Sequence, residues 1–262
     1  MAVSDTEKTD GFRVVQDGRL SRRSFLKKFA AGSVAVATVY AVPRVLTVSP
    51  RHAYAQATGA GGNGEPPEPP ADALIMDTFS ADDGTELDGR PPEFATAAVT
   101  WAVEAGNWQI TGGSATEISD VDPVVSPDFR ALIPVPDVAH VITATVVYGN
   151  GGQLIGIVGR AGGPSDWVML FFDGVSDLVL GAKDSAVNSG AFQELGRSGI
   201  TWTDGQTRVL SLQFAGDQVT ASVDGAPVMT RTYASSGGSA GLFSRGGGGT
   251  RFDDFLVTSL AP

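Results

Sequence analysis

Leu210-Ser211-Leu212-Gln213-Phe214, Ala215-Gly216-Asp217, Val219-Thr220-Ala221-Ser222-Val223 and Asp224-Gly225 before Pro227-Val228-Met229 form the stretch that decides the fold. Leu210, Leu212 and Phe214 recur at every second position, as do Val219, Ala221 and Val223. That period of two places each set on one face of a strand. Gly216-Asp217 turns the chain, and Asp224-Gly225 is a strong two-residue hairpin signal.

The same pattern extends outward in both directions. Short apolar runs occur at Val99–Val103, Trp108–Thr111, Val141–Tyr148, Leu154–Val158, Trp167–Phe172, Leu178–Leu180 and Arg251–Thr258, bounded by Gly, Asp, Asn and Pro. No segment sustains a helical 3.6 period with caps, and no repeat of propeller or solenoid length occurs. Many short strands without helices predict a sandwich or a barrel. Strands with one polar face need a second sheet to bury the other. Residues 75–262 exceed the roughly 100 residues of an immunoglobulin-type sandwich, and the chain has no cysteine for its Cys…Trp…Cys pattern. The expected fold is therefore all-β, a two-sheet antiparallel jelly-roll sandwich.

The first 55 residues read differently. Ser21-Arg22-Arg23-Ser24-Phe25-Leu26-Lys27-Lys28 precedes an apolar run from Phe29 to Val42. Arg44, Arg51 and the small-x-small site Ala53-Tyr54-Ala55 follow. This resembles a twin-arginine (Tat) export signal, an address read by the Tat machinery. The apolar run has 14 residues, where a membrane span needs about 20. Extending it would place Pro43 and Arg44 at bilayer depth. The expected products are an exported chain, periplasmic or extracellular, with no membrane span after the signal. Residues 56–74, dominated by Gly, Pro and Glu, cannot bury apolar area and are expected to form a disordered linker to the domain at 75–262.

Charge and composition exclude whole classes of function. Without cysteine there are no disulfides, thiolate metal sites, iron–sulfur clusters or cysteine nucleophiles. The net charge of −11 argues against nucleic acid as a partner. Residues 1–55 hold nine Lys/Arg and four Asp/Glu, so the rest of the chain carries nine basic and 25 acidic residues, a net −16. Lys183 is its only lysine. Such a surface repels anionic polymers unless a divalent cation intervenes. No Gly-x-Gly-x-x-Gly, Walker loop or metal-ligand cluster is present.

Beyond the signal, an ordered series of segments carries a resemblance. It runs through Asp77-Thr78-Phe79, Gly106-Asn107-Trp108-Gln109-Ile110, Thr111-Gly112-Gly113, Ile157-Val158-Gly159-Arg160 and Asp166-Trp167-Val168-Met169-Leu170. Val209–Phe214, Val223-Asp224-Gly225, Ala240-Gly241-Leu242-Phe243 and Arg251-Phe252-Asp253-Asp254-Phe255 complete it. The set resembles the concanavalin A-like lectin/glucanase superfamily, in its laminin-G-like and 3-keto-disaccharide hydrolase-like branch. The resemblance implies two curved antiparallel sheets, with ligands on a concave face or rim loops. It does not select among the lectins, hydrolases and adhesion modules that share the fold.

Candidate sites follow from residue chemistry. Glucanases of the superfamily carry Glu-x-Asp-x-x-Glu on one strand, which puts acid and nucleophile on one face. Glu86-Leu87-Asp88 begins such a pattern, but Arg90-Pro91-Pro92 precedes Glu93, so the segment reads as a loop. His140 opens a strand, is expected to be solvated, and has no Gly-x-Ser-x-Gly elbow to serve. No catalytic residue is assigned. A structural calcium is weighed at Asp77, Asp253 and Asp254, because first and last strands of such sandwiches often pair and carboxylates suit calcium. Aromatic faces stack on sugars, so Tyr148, Trp167 and Trp202 are ligand candidates, Trp202 in a polar loop where exposure is expected. Trp101 and Trp108 are weighed with them; Trp108 and Trp167 also fit a core role. Arg160 closes an apolar run and faces either a structural partner or a ligand.

Three functions compete. The first, which we adopt, is an exported non-catalytic carbohydrate-binding or adhesion module. The second is a secreted hydrolase of the 3-keto-disaccharide hydrolase-like type, expected to release product. The third is a structural domain that binds an envelope protein.

Overall fold

The computed structural model describes residues 68–119, 128–136, 139–149, 154–174, 177–235, 237–245 and 249–260. The signal reading and most of the linker lie outside these residues.

The decisive stretch forms three hairpin-linked strands, β12 (Thr207–Ala215), β13 (Gln218–Val223) and β14 (Ala226–Thr232). Asp224 and Gly225 close the second hairpin with φ of 51° and 78°, both left-handed, as a turn matched to strand twist requires. Asp224 reinforces it by accepting from Val209 N–H at 2.9 Å and Arg208 Nη1 at 2.6 Å. Leu210, Leu212, Phe214, Val219 and Ala221 are each fully buried, so the alternation points where the sequence predicts.

All strand pairs are antiparallel, in two sheets. The nine-stranded sheet runs β14-β13-β12-β7-β16-β1-β2, with β5 pairing β16 and β4. Its remaining members are β7 (His140–Val147), β16 (Arg251–Ser259), β1 (Ala73–Asp77), β2 (Phe94–Ala95), β4 (Trp108–Ile110) and β5 (Ala115–Glu117). The seven-stranded sheet runs β11-β10-β9-β8-β15-β6-β3. It comprises β11 (Gln193–Ser198), β10 (Leu178–Lys183), β9 (Asp166–Phe172), β8 (Leu154–Gly163), β15 (Ser239–Arg245), β6 (Phe129–Pro134) and β3 (Ala102–Ala105). Together they make the two-sheet jelly-roll sandwich. One helical turn, α1 (Ser185–Asn188), follows β10. Strand β1 begins at Ala73, inside the stretch read as linker, because its backbone pairs with β16.

The core lies between the sheets. Ile142, Ala144, Phe252, Phe255 and Val257 face Ile155, Ile157, Val168, Leu170, Phe172 and Leu180. On the other face of the seven-stranded sheet, the alternate residues Leu132, Val158, Trp167, Met169, Phe171, Val179 and Phe243 form a second apolar cluster. Strands β8, β9 and β10 are apolar on both faces, which is why they read as runs rather than alternations.

Candidate functional site

Antiparallel order gathers one end of the sandwich. Strands β8, β10, β12 and β14 finish there, and β9, β13 and β15 start there. Their connections surround a cleft of 560 Å³ lined by Asp166, Lys183, Asp184, Ser185, Asp217 and Ser235, with Gly162, Ala186, Ala234 and Gly237 completing the wall.

Each polar group is held in place by local chemistry. Asp184 caps α1, its Oδ1 accepting from Ala186 N–H at 2.8 Å and Val187 N–H at 3.1 Å. Asp166 Oδ1 accepts from Ser185 N–H at 2.6 Å and Ser185 Oγ at 2.8 Å. These donations hold the Asp166 carboxyl below its ordinary range. Lys183 sits 5.0 Å from the Trp167 ring and 3.2 Å from Asp128 Oδ2. Burial opposes the Asp128 charge, but Arg245 and Lys183 outweigh it and hold the carboxyl low. Ser189 (φ 57°) and Gly190 (φ 74°) turn the chain after α1 in the left-handed region, and a Cβ on Gly190 would fall 2.7 Å from Ser165 Cβ.

Arg160 explains how the two sheets meet at the cleft. It adopts φ 48° at a bulge in β8, which aims its side chain across the end of the core. The guanidinium stacks 4.8 Å from the Phe214 ring and Nη2 donates to Gly216 O at 2.5 Å. Burial lowers its pKa and neighbouring Asp217 raises it. Arg160 thus fixes the β12–β13 turn, and with it Asp217, from beneath the cleft.

The four ligand candidates are not brought together. Arg160 and Trp167 lie at the cleft end, both buried, and Trp167 Nε1 donates to Pro164 O at 3.3 Å. Tyr148 and Trp202 pack against Phe172 at the far end of β9, about 20 Å along the strand. The expected exposure of Trp202 is corrected: it is 6% exposed. Its loop folds back so that the indole stacks on Tyr148 while Nε1 donates to Gln206 O at 2.9 Å. Trp101 and Trp108 are core. His140 is likewise buried, against Phe214, rather than solvated. Among the described residues, the large hydrophobic side chains that do reach solvent are Phe192, Val187 and Ile118, and Phe192 packs on Trp167 and Phe171.

The calcium candidates also diverge. β1 and β16 do pair, with Asp77 opposite Phe255. Asp77 is fully buried and accepts from Arg90 Nη1 at 2.5 Å, Trp101 Nε1 at 2.7 Å and Phe79 N–H at 3.0 Å. A guanidinium already fills the place a cation would take. Asp253 accepts from Ser114 Oγ at 2.6 Å and lies 3.6 Å from Arg251 Nε. Asp254 precedes inward-facing Phe255 and points to the opposite face from Asp77. Among the described residues, no group of three acidic or histidine side chains could hold a metal. Asp77, Asp253 and Asp254 are thus not gathered on one cation site. Glu93, the last acid of the glucanase-like pattern, is a clamp: burial opposes its charge, but Ser80 and Thr78 donate to it and hold the carboxyl low.

The sequence reading missed Asp166, Lys183, Asp184, Ser185, Asp217 and Ser235 as site residues. Asp184-Ser185 directly after a strand is a cap signal, and Gly216-Asp217 was legible as a turn. Neither shows that the two meet.

No protein family and no curated protein matches the chain. Solved structures do. A carbohydrate binding module (CBM66) from Bacillus subtilis is 13% identical, with TM-score 0.50, over 61% of this chain and 95% of that one. An endo-acting O-glycanase structure from the human gut microbiota is 11% identical, with TM-score 0.53, over 72% and 100%. A GlcNAcα1-4Gal releasing endo-β-galactosidase from Clostridium perfringens is 10% identical, with TM-score 0.50, over 74% of this chain and 64% of that one. The shared fold is the two-sheet antiparallel jelly-roll sandwich. At these identities the likeness is one of fold alone.

Proposed function

We propose that this chain is an exported, non-catalytic carbohydrate-binding domain, with the cleft at the β9–α1 end as its ligand site. The cleft itself carries the proposal. It converges carboxylates, hydroxyls and an ammonium from separate connections onto one concave surface, the donor and acceptor mixture that suits a hydroxyl-rich ligand. Binding modules and glycosidases among the fold neighbours support the same class. Binding is favoured over hydrolysis because a glycosidase needs one carboxyl held protonated near neutral pH beside one held ionised. The Asp166 and Asp184 carboxylates are instead engaged by the backbone amides of Ser185, Ala186 and Val187. The paired arginines, short apolar run and small-x-small site of residues 1–55 support export to the periplasm or beyond. Among the described residues no helix is long and apolar enough to cross a membrane.

A glycan array probed with the full chain tests this. Selective retention of one glycan class without product release supports it. A blank array on folded protein overturns it and favours an envelope protein as partner, and released product overturns the non-catalytic part.

A further inference from the structure

We propose that Phe192 is a sugar-stacking platform outside the cleft, so that the domain takes neutral β-linked oligosaccharides long enough to pass Lys183 and lay a further ring on Phe192. This deepens the carbohydrate-binding proposal and rests on it.

Among the described residues, Phe192 is the one exposed aromatic side chain, at 40%. Its ring is nevertheless fixed. It packs against Trp167 and Phe171, with centroids 6.3 Å and 6.1 Å apart. Val179, Gly181 and Lys183 alternate along one face of β10, and Phe192 occupies the space that a side chain at Gly181 would need. A Cβ there would lie 2.3 Å from Phe192 Cε2 and 2.5 Å from Cζ. The missing side chain thus makes a seat on the sheet for this ring, and part of the ring stays open to solvent. An aromatic held in this way loses little freedom when a ligand stacks on it.

Two observations relate this ring to the cleft. Lys183 lines the cleft, and its Nζ lies 5.0 Å from the same Trp167 ring on which Phe192 packs. The chain between Lys183 and Phe192 supplies the cleft-wall residues Asp184, Ser185 and Ala186. That excursion is closed by the Gly190 N–H, which donates to Asp184 O at 3.1 Å. β11 then starts at Gln193, opposite Ala182. Strand β10 ends at the cleft with Lys183, and the Phe192 ring sits further back along it, over Gly181. Phe192 is therefore not part of the cleft wall but stands beyond Lys183 on the same outer surface.

The two places offer complementary chemistry. The cleft presents hydrogen-bonding groups, whereas Phe192 presents an apolar ring. A pyranose whose hydroxyls lie near the ring plane has C–H faces that suit such a ring and polar edges that suit the cleft. Successive units of a chain can use both, while a single unit in the cleft leaves Phe192 uncovered.

Isothermal titration of the full chain with β-linked di-, tri- and hexasaccharides of glucose, xylose and galactose tests this. We expect affinity to rise with length in at least one series. Phe192→Leu keeps an apolar cover over Trp167 and Gly181 but removes the flat face. It should weaken hexasaccharide binding about tenfold, leave the shortest oligomer that binds unaffected and keep the parent Tm. Phe192→Tyr keeps the ring and should bind as the parent does. Affinity independent of length in the parent, which needs no variant to read, overturns the platform. So does an unchanged hexasaccharide affinity in Phe192→Leu, or an equal loss for short and long oligomers. Binding of an array glycan but of none of these neutral oligomers also overturns it; each of these results leaves carbohydrate binding standing. Failure of the folded chain to bind any oligomer or any array glycan overturns both.

Discussion

Asp77 and Asp254 sit a few residues apart across the β1–β16 pair and carry opposite lessons. Asp77 has no exposed side-chain surface and Arg90 only 11%; a buried pair of this kind is costly to break from one side, because the surviving charge has no water to turn to. Asp77→Ala strands both Arg90 and the Trp101 indole N–H. We expect a loss of about 3–5 kcal/mol of unfolding free energy, read by denaturant titration; a loss nearer that of a surface pair, below about 1 kcal/mol, contradicts the assignment. Asp254 is a penalty rather than a bolt. Burial pushes its carboxyl up to about 6, against a hydrogen bond from Thr145 and with help from Asp253 and Glu93. The folded chain therefore holds this proton more tightly than the unfolded chain, whose carboxyl titrates near about 4. Stability then falls as pH rises from about 4 to about 6 and stays lower above that window. Asp254→Asn should raise Tm at about pH 8 and leave it unchanged below about pH 4, measured by calorimetry. A lowered Tm at the higher pH contradicts this.

Elements were legible in proportion to their alternation. Strands β12 and β13 read directly from Leu210, Leu212, Phe214 and Val219, Ala221, Val223, and Asp224-Gly225 fixed their partner. β6 was missed because Phe129-Arg130-Ala131-Leu132-Ile133 is buried on both faces and shows no period of two. β11, Gln193–Ser198, was missed for the opposite reason: an edge strand with an exposed, polar sequence has no apolar face to announce it. The cleft was not legible at all, since it is built from connections whose meeting depends on strand order, and nothing local in Asp184-Ser185 or Gly216-Asp217 encodes that order. Close packing between elements supplies its own test. A Cβ on Gly156 would lie 2.0 Å from Leu170 O of the neighbouring strand, so Gly156→Ala must force β8 and β9 apart. We expect little or no soluble folded protein from it. Gly199→Ala, with open space around it, should match the parent in yield and Tm. Equal yields for the two variants contradict the β8–β9 register.

For the whole molecule, two antiparallel sheets with an apolar interior explain why a chain without cysteine needs no disulfide: the core is large enough to stand alone. The same architecture leaves the connections at one end free to build a polar cleft on a rigid scaffold. On the export proposal, replacing Arg22 and Arg23 by lysine should retain the chain in the cytoplasm, read by cell fractionation with immunodetection; unchanged export contradicts a twin-arginine address. The central claim is that glycans bind at the β9–α1 end. Hydrogen exchange of the full chain, with and without its best array glycan, tests it most directly. We predict slowed exchange at Gly162–Asp166, Lys183–Val187 and Ala234–Ser235, and no change around Tyr148 and Trp202. Protection confined to another surface, with the cleft amides unchanged, would contradict the account.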